Sequence, residues 1–145
     1  MDLVSVYRVP NIAPNLLYKL LEERDQSVNI SHRRMPSWDE HLGFIASRPY
    51  GAWYLIRVSG VYVGAIYLSK QDEIGIFVLS EHRGKGYGPQ AIEALMARHP
   101  RPRFLANINP ANERSIDMFG RLGFHLIQHT YELRPQSRPD GKTTS

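Results

Sequence analysis

The sequence predicts an α/β (α+β) fold, with a mixed, mostly antiparallel central sheet of about six strands flanked by four helices. Two observations lead to this prediction. Runs rich in β-branched and aromatic residues alternate with short polar turns in the middle of the chain, which is typical of hairpins. Segments with apolar residues three and four positions apart lie before and after these runs and indicate helices. The predicted order is β-α-α-β-β-β-α-β-α-β, and hairpins combined with helical crossovers favour a mixed sheet over a doubly wound parallel one.

The N-terminal part of the chain predicts one strand and two helices. Residues 3–9 are rich in valine and predict the first strand. Residues 12–24 repeat leucine and isoleucine with a helical period, and the polar residues 25–36 predict an irregular loop. Ser37 and Glu40 have the spacing of a capping box, so we expect a short second helix to begin there.

Three consecutive strands are predicted in the middle of the chain. Residues 52–58 and 61–68 are both rich in strand-forming side chains, and Ser59-Gly60 between them is a compact hairpin signal. Residues 73–79 follow after a polar turn and predict the next strand of the same sheet.

The C-terminal part predicts two more helices and two more strands. A helix is expected from about residue 89 to 99, followed by a strand over residues 103–108. Asn109-Pro110 is typical of an N-cap followed by proline in the first helical position, and Gly123 is typical of the glycine after a helix end. Residues 124–133 predict the last strand of the fold.

Composition limits the kind of protein. A length of 145 residues suits one domain, which we place at residues 1–133, with residues 134–145 expected as a disordered tail.

Cysteine is absent, and neither a signal peptide nor a membrane-length apolar run is visible, so we expect a cytoplasmic protein without a membrane partner. The net charge of +4 suits an anionic ligand, but the basic residues form no long run, so nucleic acid is not expected as a partner. The sequence also shows no metal-ligand pattern.

A glycine-rich hexapeptide, residues 83–88, joins a predicted strand to a predicted helix. Glycine lets the backbone turn sharply and approach a ligand, and the free N–H groups at a helix start attract anions. Arg83 and Lys85 add cationic donors, so we expect a phosphorylated ligand here. The dinucleotide-binding pattern Gly-x-Gly-x-x-Gly does not match this spacing. A turn without a ligand would not need three alternating glycines beside an arginine, so we favour phosphate binding.

Two motifs resemble one known family. The loop Arg83-x-x-Gly86-x-Gly88 is similar to the pyrophosphate-binding pattern of the GNAT superfamily of acetyl-CoA-dependent N-acetyltransferases. Residues 112–124, Asn-Glu-Arg-Ser-Ile-Asp-Met-Phe-Gly-Arg-Leu-Gly-Phe, resemble a second pattern of the same superfamily. The likeness covers about residues 52–133, and both motifs occur at the expected separation and in the expected element order.

The resemblance implies a GNAT-like fold and an acyltransferase that uses acetyl-CoA as co-substrate. It implies that the amine attacks the acetyl group directly in a ternary complex. The strand before the glycine loop is then expected to bind the pantetheine amides, the loop to bind the pyrophosphate, and the following helix to form the second wall of the cofactor site. The implied cofactor-binding residues are Ile76, Phe77, Val78, Arg83, Gly84, Lys85, Gly86, Tyr87, Gly88, Asn112, Ser115 and Phe119, with Asn107 as a further wall residue.

The catalytic groups are also implied by the resemblance. Glu73 occupies a position similar to that of the general base in some members, since a carboxylate acting through water can take the proton of an amine. Many members carry a tyrosine at the position of Phe119, which here cannot donate a proton. Tyr54, Tyr67 and Tyr131 are other possible donors, although tyrosines in strands are commonly packing residues.

The polar loop before the second predicted helix indicates the kind of acceptor. His32, Arg33 and Arg34 lie in the polar loop where the resemblance places acceptor substrates, and a basic loop suits an anionic acceptor. We therefore expect a small anionic amine such as an aminosugar nucleotide. The alternatives are a protein or peptide amine, and a non-catalytic acyl-CoA-binding module. The expected assembly is a monomer or a homodimer.

Overall fold

The computed structural model describes residues 1–27 and 34–135. Two short 3-10 turns, at Val6–Arg8 and Ser80–His82, follow the strands that end at Ser5 and Val78. Within the described residues the regular elements follow in the order β1 (Asp2–Ser5), α1 (Ala13–Ser27), α2 (Trp38–Ala46), β2 (Ala52–Val58), β3 (Val61–Leu68), β4 (Ile74–Val78), α3 (Tyr87–Arg98) and α4 (Glu113–Arg121).

The four strands form one sheet in the order β1-β2-β3-β4, and every neighbouring pair is antiparallel. Helices cover both faces of this sheet. Leu55 faces a core shared with α1 and α2, whereas Ile56, the next residue of β2, faces a core shared with α3 and α4. Both side chains are fully buried, so the sheet is the central layer of three.

The mixed α+β class with four helices and an antiparallel sheet is confirmed. The bounds predicted for β2 and β3 are also confirmed, and both residues of the turn between them, Ser59 and Gly60, have positive φ, as a tight hairpin requires. The second helix begins after Ser37 as predicted. The Ser37 hydroxyl accepts from the Glu40 N–H at 3.1 Å, and the Glu40 carboxylate accepts from the Ser37 N–H at 2.8 Å.

This capping box leads to a prediction about pH. The Ser37 N–H, followed by the Arg34 guanidinium, lowers the pKa of Glu40 from 4.5 to about 2. Because the folded pKa is depressed, the ionised carboxylate stabilises the fold above pH 4.5, and this contribution is lost as the pH falls towards 2. We expect Glu40→Gln to flatten the fall in stability across that interval, measured by urea unfolding at stepped pH. Asp39→Asn, at an exposed acid in the same turn, is the matched control, and an equal flattening there would contradict the assignment.

The prediction of about six strands was wrong, because the described residues contain four. The two missing strands are residues 103–108 and 124–133. The first touches the sheet at one place, a parallel bridge between Leu105 and Glu73. In the second, Leu126, Tyr131 and Leu133 are at least 72% exposed. Both segments have strand-like composition, but a strand exists only where a second strand supplies hydrogen bonds, and neither segment pairs with the other among the described residues.

Two helix boundaries also differ from the prediction. Asn109-Pro110 is not the start of α4. Asn109 instead forms a turn, accepting from the N–H of Ala111 through its side chain, and the helix N-cap is Asn112. The helix α1 continues to Ser27, into the segment predicted as a loop. Gly123 follows the end of α4 with φ of 99°, as predicted for a glycine at that position.

The helices in the described part of the chain include none that is long and apolar enough to cross a membrane.

Candidate active site

The strand β4 has one paired edge and one open edge. Its odd-numbered residues are hydrogen-bonded towards β3, as the Leu79 N–H shows by donating to Val63 at 2.8 Å. The even-numbered residues therefore direct their N–H and C=O groups to the other side. There the Ile74 N–H donates to the Leu105 carbonyl at 2.7 Å, and beyond this point Ile76 and Val78 face no strand among the described residues.

This open edge is a suitable place for an extended amide-containing ligand. A chain of amides can add to a free strand edge through backbone hydrogen bonds. Ile76 and Val78, two of the predicted cofactor residues, have their backbone groups on this edge. The backbone of Phe77 faces β3, and its side chain packs with the core under α1.

The glycine loop begins directly after this edge and has the conformation that its glycines allow. Gly84 and Gly86 have φ of 78° and 79°, a region that side-chain-bearing residues rarely adopt, and Gly86 is the N-cap of α3. Gly88 has a different function in the fold. A Cβ there would lie 3.0 Å from the Met118 sulfur, so the absence of a side chain lets α3 and α4 approach closely.

The loop presents a set of unused donors. The five consecutive backbone N–H groups of residues 84–88 donate to no acceptor among the described residues. Arg83 lies at the start of the set, where its Nε donates to the Val78 carbonyl at 3.2 Å, and Lys85 is exposed beside it. Five amide donors at the positive end of a helix, flanked by two cations, fit a pyrophosphate. Residues Arg83 to Gly88 would therefore hold the phosphate end of the cofactor.

The second predicted wall, on α4, is built mainly from packing groups. The Asn112 side chain caps the helix by accepting from the Ser115 N–H at 3.2 Å. Phe119 is 4% exposed and packs edge-to-face against Phe124, with ring centroids 5.0 Å apart. Phe119 therefore belongs to the core between the sheet and α3, and contact of these three side chains with the cofactor stays a prediction.

Glu73 lies at the point where the sheet opens. Its Oε1 accepts from the Ser69 hydroxyl at 3.0 Å, and its Oε2 accepts from the Asn107 amide at 2.6 Å. Ser69 also accepts from the Glu73 N–H, so the carboxylate and its own backbone are fixed together. Asn107 lies two residues after Leu105, the residue that bridges to Glu73. It therefore holds the carboxylate from the segment that runs beside the free edge of β4.

The three tyrosines considered as proton donors have different environments. The Tyr54 hydroxyl lies 2.6 Å from His99 Nε2 on the α3 side of the sheet, and burial, together with Arg101 and Arg98, lowers the pKa of His99. Tyr131 is 90% exposed. Tyr67 lies across the backbone of Gly75 in β4, two residues after Glu73, and is the tyrosine of the three that lies beside the candidate base.

The predicted acceptor loop is described only at its end. His32 and Arg33 lie outside the described residues. Arg34 forms two hydrogen bonds to the Glu40 carboxylate, both at 3.1 Å, so its planar donor group already has a partner. Substrate binding by these three residues stays a prediction.

Sequence reasoning missed three contributions to this site. Ser69, Tyr50 and Arg24 were not singled out, and the contacts of Tyr50 and Arg24 join residues far apart in the chain. Tyr50 stacks on Tyr67 with ring centroids 3.8 Å apart, and the Arg24 guanidinium lies 4.7 Å from the centre of the Phe77 ring. A serine four residues before a carboxylate, as at Ser69 and Glu73, is the one local signal that was available.

The open strand edge, the donor-rich loop and the fixed carboxylate together fit an acyl-CoA-dependent transferase. Comparison with known families identifies it further. Residues 15–124 match the acetyltransferase (GNAT) family, so the chain belongs to that family, as its motifs indicated. It is an N-acetyltransferase that uses acetyl-CoA as co-substrate. A search of curated proteins finds no match.

Several solved structures share the fold. An N-acetyltransferase from Staphylococcus aureus Mu50 superposes with a TM-score of 0.66 at 17% identity, covering 85% of this chain and 81% of that one. A ribosomal-protein-alanine N-acetyltransferase from Brucella melitensis gives 0.65 at 18% identity, covering 86% and 83%. The yncA protein of Salmonella typhimurium, solved with its cofactor acetyl-CoA, gives 0.63 at 19% identity, covering 85% and 77%. At these identities the likeness shows the fold alone.

Proposed function

We propose that the protein acetylates a primary amine by direct attack in a ternary complex, with Glu73 as the general base. The observation that carries this proposal is the position of Glu73. Its carboxylate is fixed by the side chains of Ser69 and Asn107, at the point where the chain before β4 bridges to Leu105. This point lies next to the strand edge that is proposed to bind the cofactor. A base must be held within hydrogen-bond reach of the proton that it removes, directly or through one water.

Each part of the site has a proposed task. Acetyl-CoA, when bound, supplies the acetyl thioester. The Ile76 and Val78 backbone groups bind its amides along the open edge, and residues 83–88 bind its phosphates with N–H and cationic donors. Glu73 accepts the proton that the amine loses, while Asn107 and Ser69 keep the carboxylate in one orientation.

We further propose that the acceptor is a small anionic amine, with a peptide amine as the alternative. The support is the positive net charge of the chain and one arginine beside the site. The net charge of the chain is +4. Arg24, on the face that carries Glu73, has no carboxylate partner among the described residues. A cation beside the site attracts an anionic acceptor and disfavours a cationic one.

The test is turnover with a panel of amines. The chain has no cysteine, so a thiol reagent detects released CoA without background from the protein. We expect CoA release in step with acetylation of the amine, followed by mass spectrometry, for at least one primary amine. Binding of acetyl-CoA without CoA release for any acceptor would contradict the proposal and favour a binding module.

A further inference from the structure

Glu73, directly before β4, and Gly75 and Phe77 within it lie at alternate positions on one face of the sheet, turned towards α1 and α2. Because Gly75 has no side chain, the Tyr67 ring occupies the space above it. A Cβ on Gly75 would collide with that ring and would lie 2.6 Å from the phenol oxygen. Tyr50 stacks on Tyr67 with an interplanar angle of 4°. Tyr50, Tyr67 and Phe77, here called the aromatic cluster, therefore fill the surface beyond Glu73.

Arg24, in the last part of α1, lies at the Phe77 end of the aromatic cluster. Its guanidinium carbon is 4.7 Å from the centre of the Phe77 ring, and the side chain is exposed. A guanidinium that rests on an aromatic ring keeps its N–H donors free at the rim of the plane. Those donors form no hydrogen bond or ion pair with the described residues, whereas five other arginines in the same ranges pair with carboxylates, namely Arg34, Arg57, Arg101, Arg121 and Arg134.

The field of Arg24 reaches the hydroxyl groups of the cluster. Burial raises the pKa of Tyr50 to about 12, and the positive charge of Arg24 opposes that rise. Burial also raises the pKa of Tyr67, against the same opposing charge. The charge of Arg24 therefore acts on both phenols of the cluster.

The spacing along β4 limits the size of the acceptor. Glu73 and Phe77 are four residues apart in an extended strand, which corresponds to about 13 Å between their backbones. An acceptor whose amine reaches Glu73 can reach Arg24 only with a group on the order of 10 Å away. The carboxylate of a free α-amino acid is too close to its own amine to make both contacts.

We propose that Arg24 binds an anionic group of the acceptor, a carboxylate or a phosphate, on the order of 10 Å from the amine that is acetylated. The proposal rests on the proposed function, because the position of the amine is taken from Glu73. Arg24 is a specificity-determining residue in this arrangement, and the aromatic cluster forms the surface between the two contacts. The anionic group belongs either to a phosphate-linked aminosugar or to an acidic residue near a peptide N-terminus.

The test compares each of two anionic acceptors with a counterpart that lacks the anionic group. One pair is the tripeptide Ala-Ala-Asp and its neutral isostere Ala-Ala-Asn, each with a free N-terminus and an amidated C-terminus. The other pair is a nucleoside-diphosphate aminosugar and the methyl glycoside of the same aminosugar. We expect Arg24→Gln to raise the KM of the charged member of the productive pair by about 10- to 100-fold, since charge-assisted hydrogen bonds are among the strongest. The kcat for the charged member, and both kcat and KM for the neutral member, should not change in this variant. The pair that is acetylated identifies the source of the anionic group.

The controls separate this proposal from a structural effect. Arg98→Gln removes an arginine that also stacks on an aromatic ring, 5.0 Å from the centre of Tyr54 on the other face of the sheet, and should leave every KM unchanged. Arg24→Lys keeps the charge but loses the planar fork, so its KM should lie between those of the wild type and Arg24→Gln. Equal effects of Arg24→Gln on charged and neutral members would overturn the proposal.

A binding measurement keeps the proposal independent of turnover. Calorimetric titration of the four acceptors into wild-type protein and Arg24→Gln, each saturated with CoA, measures affinity without chemistry. We expect one charged acceptor to bind the wild type at least 10-fold more tightly than the variant. If no amine is acetylated but this difference is present, the proposed function fails and the anion site stands. If acetylation occurs and the difference is absent for both charged acceptors, the anion site fails alone.

Discussion

Replacing Glu73 with glutamine is expected to lower kcat by about 10²- to 10⁴-fold, the usual contribution of a general base. The amide keeps the shape of the side chain and can still bond to Ser69 and Asn107, but it cannot take a proton from the amine. Acetyl-CoA binding should be unchanged, because the proposed cofactor contacts lie on the strand edge and the glycine loop. Steady-state kinetics over pH and a binding titration measure the two properties separately.

The control for this variant is Glu93→Gln, at an exposed acid on α3 that makes no side-chain hydrogen bond among the described residues. It should retain wild-type kcat. We also expect Asn107→Ala to lower kcat less than Glu73→Gln does, since it releases one oxygen of the carboxylate and keeps the base. A Glu73→Gln enzyme with wild-type kcat and an unchanged pH profile would show that another group is the base.

Replacing Gly64 with alanine is expected to destabilise the protein by about 1–3 kcal/mol, the usual range for an overpacked core position. Gly64 is paired with Val78 across β3 and β4. A Cβ there would collide with the Phe77 carbonyl oxygen and lie 3.0 Å from the Val78 Cα. Both are backbone atoms that cannot move without opening the ladder, so acetyl-CoA binding at the neighbouring edge should weaken as well.

Gly43→Ala is the matched control for this substitution. Gly43 lies inside α2, and a Cβ there would meet nothing within 4 Å. Alanine should therefore stabilise the protein, by about 0.5–1 kcal/mol, because it lowers the entropy of the unfolded chain. Urea unfolding midpoints at constant m-value measure both changes. The explanation from packing would be wrong if both alanines shifted the midpoint in the same direction.

The parts of the fold that the sequence predicts well are those decided by neighbours in the chain. The β2–β3 hairpin needs two suitable turn residues between two strand-forming runs, and all of this information lies within residues 52–68. The capping box of α2 is equally local. Residues 103–108 and 124–133 have similar strand-like composition, but their pairing depends on a second segment, which composition cannot specify.

The same distinction applies to the site. The glycine loop was located because its glycines, cations and following helix are contiguous in sequence. Glu73 was predicted as the base because its position resembles that of the base in some family members, but the amide that holds it is 34 residues further along the chain. The contact of Arg24 with Phe77 joins α1 to β4 and has no counterpart in any local pattern. We expect distant contacts of this kind to decide which acceptor is bound.

The division of tasks within β4 limits how this protein can diverge. Consecutive residues of the strand lie on two opposite faces of the sheet, and its free backbone edge is proposed to bind the cofactor. Point substitutions at Phe77 or on α1 alter one of these tasks at a time. An insertion or deletion of one residue between Glu73 and Val78 would exchange the two faces and reverse the free edge at once. We therefore expect relatives with other acceptors to differ in side chains along this strand while keeping its length.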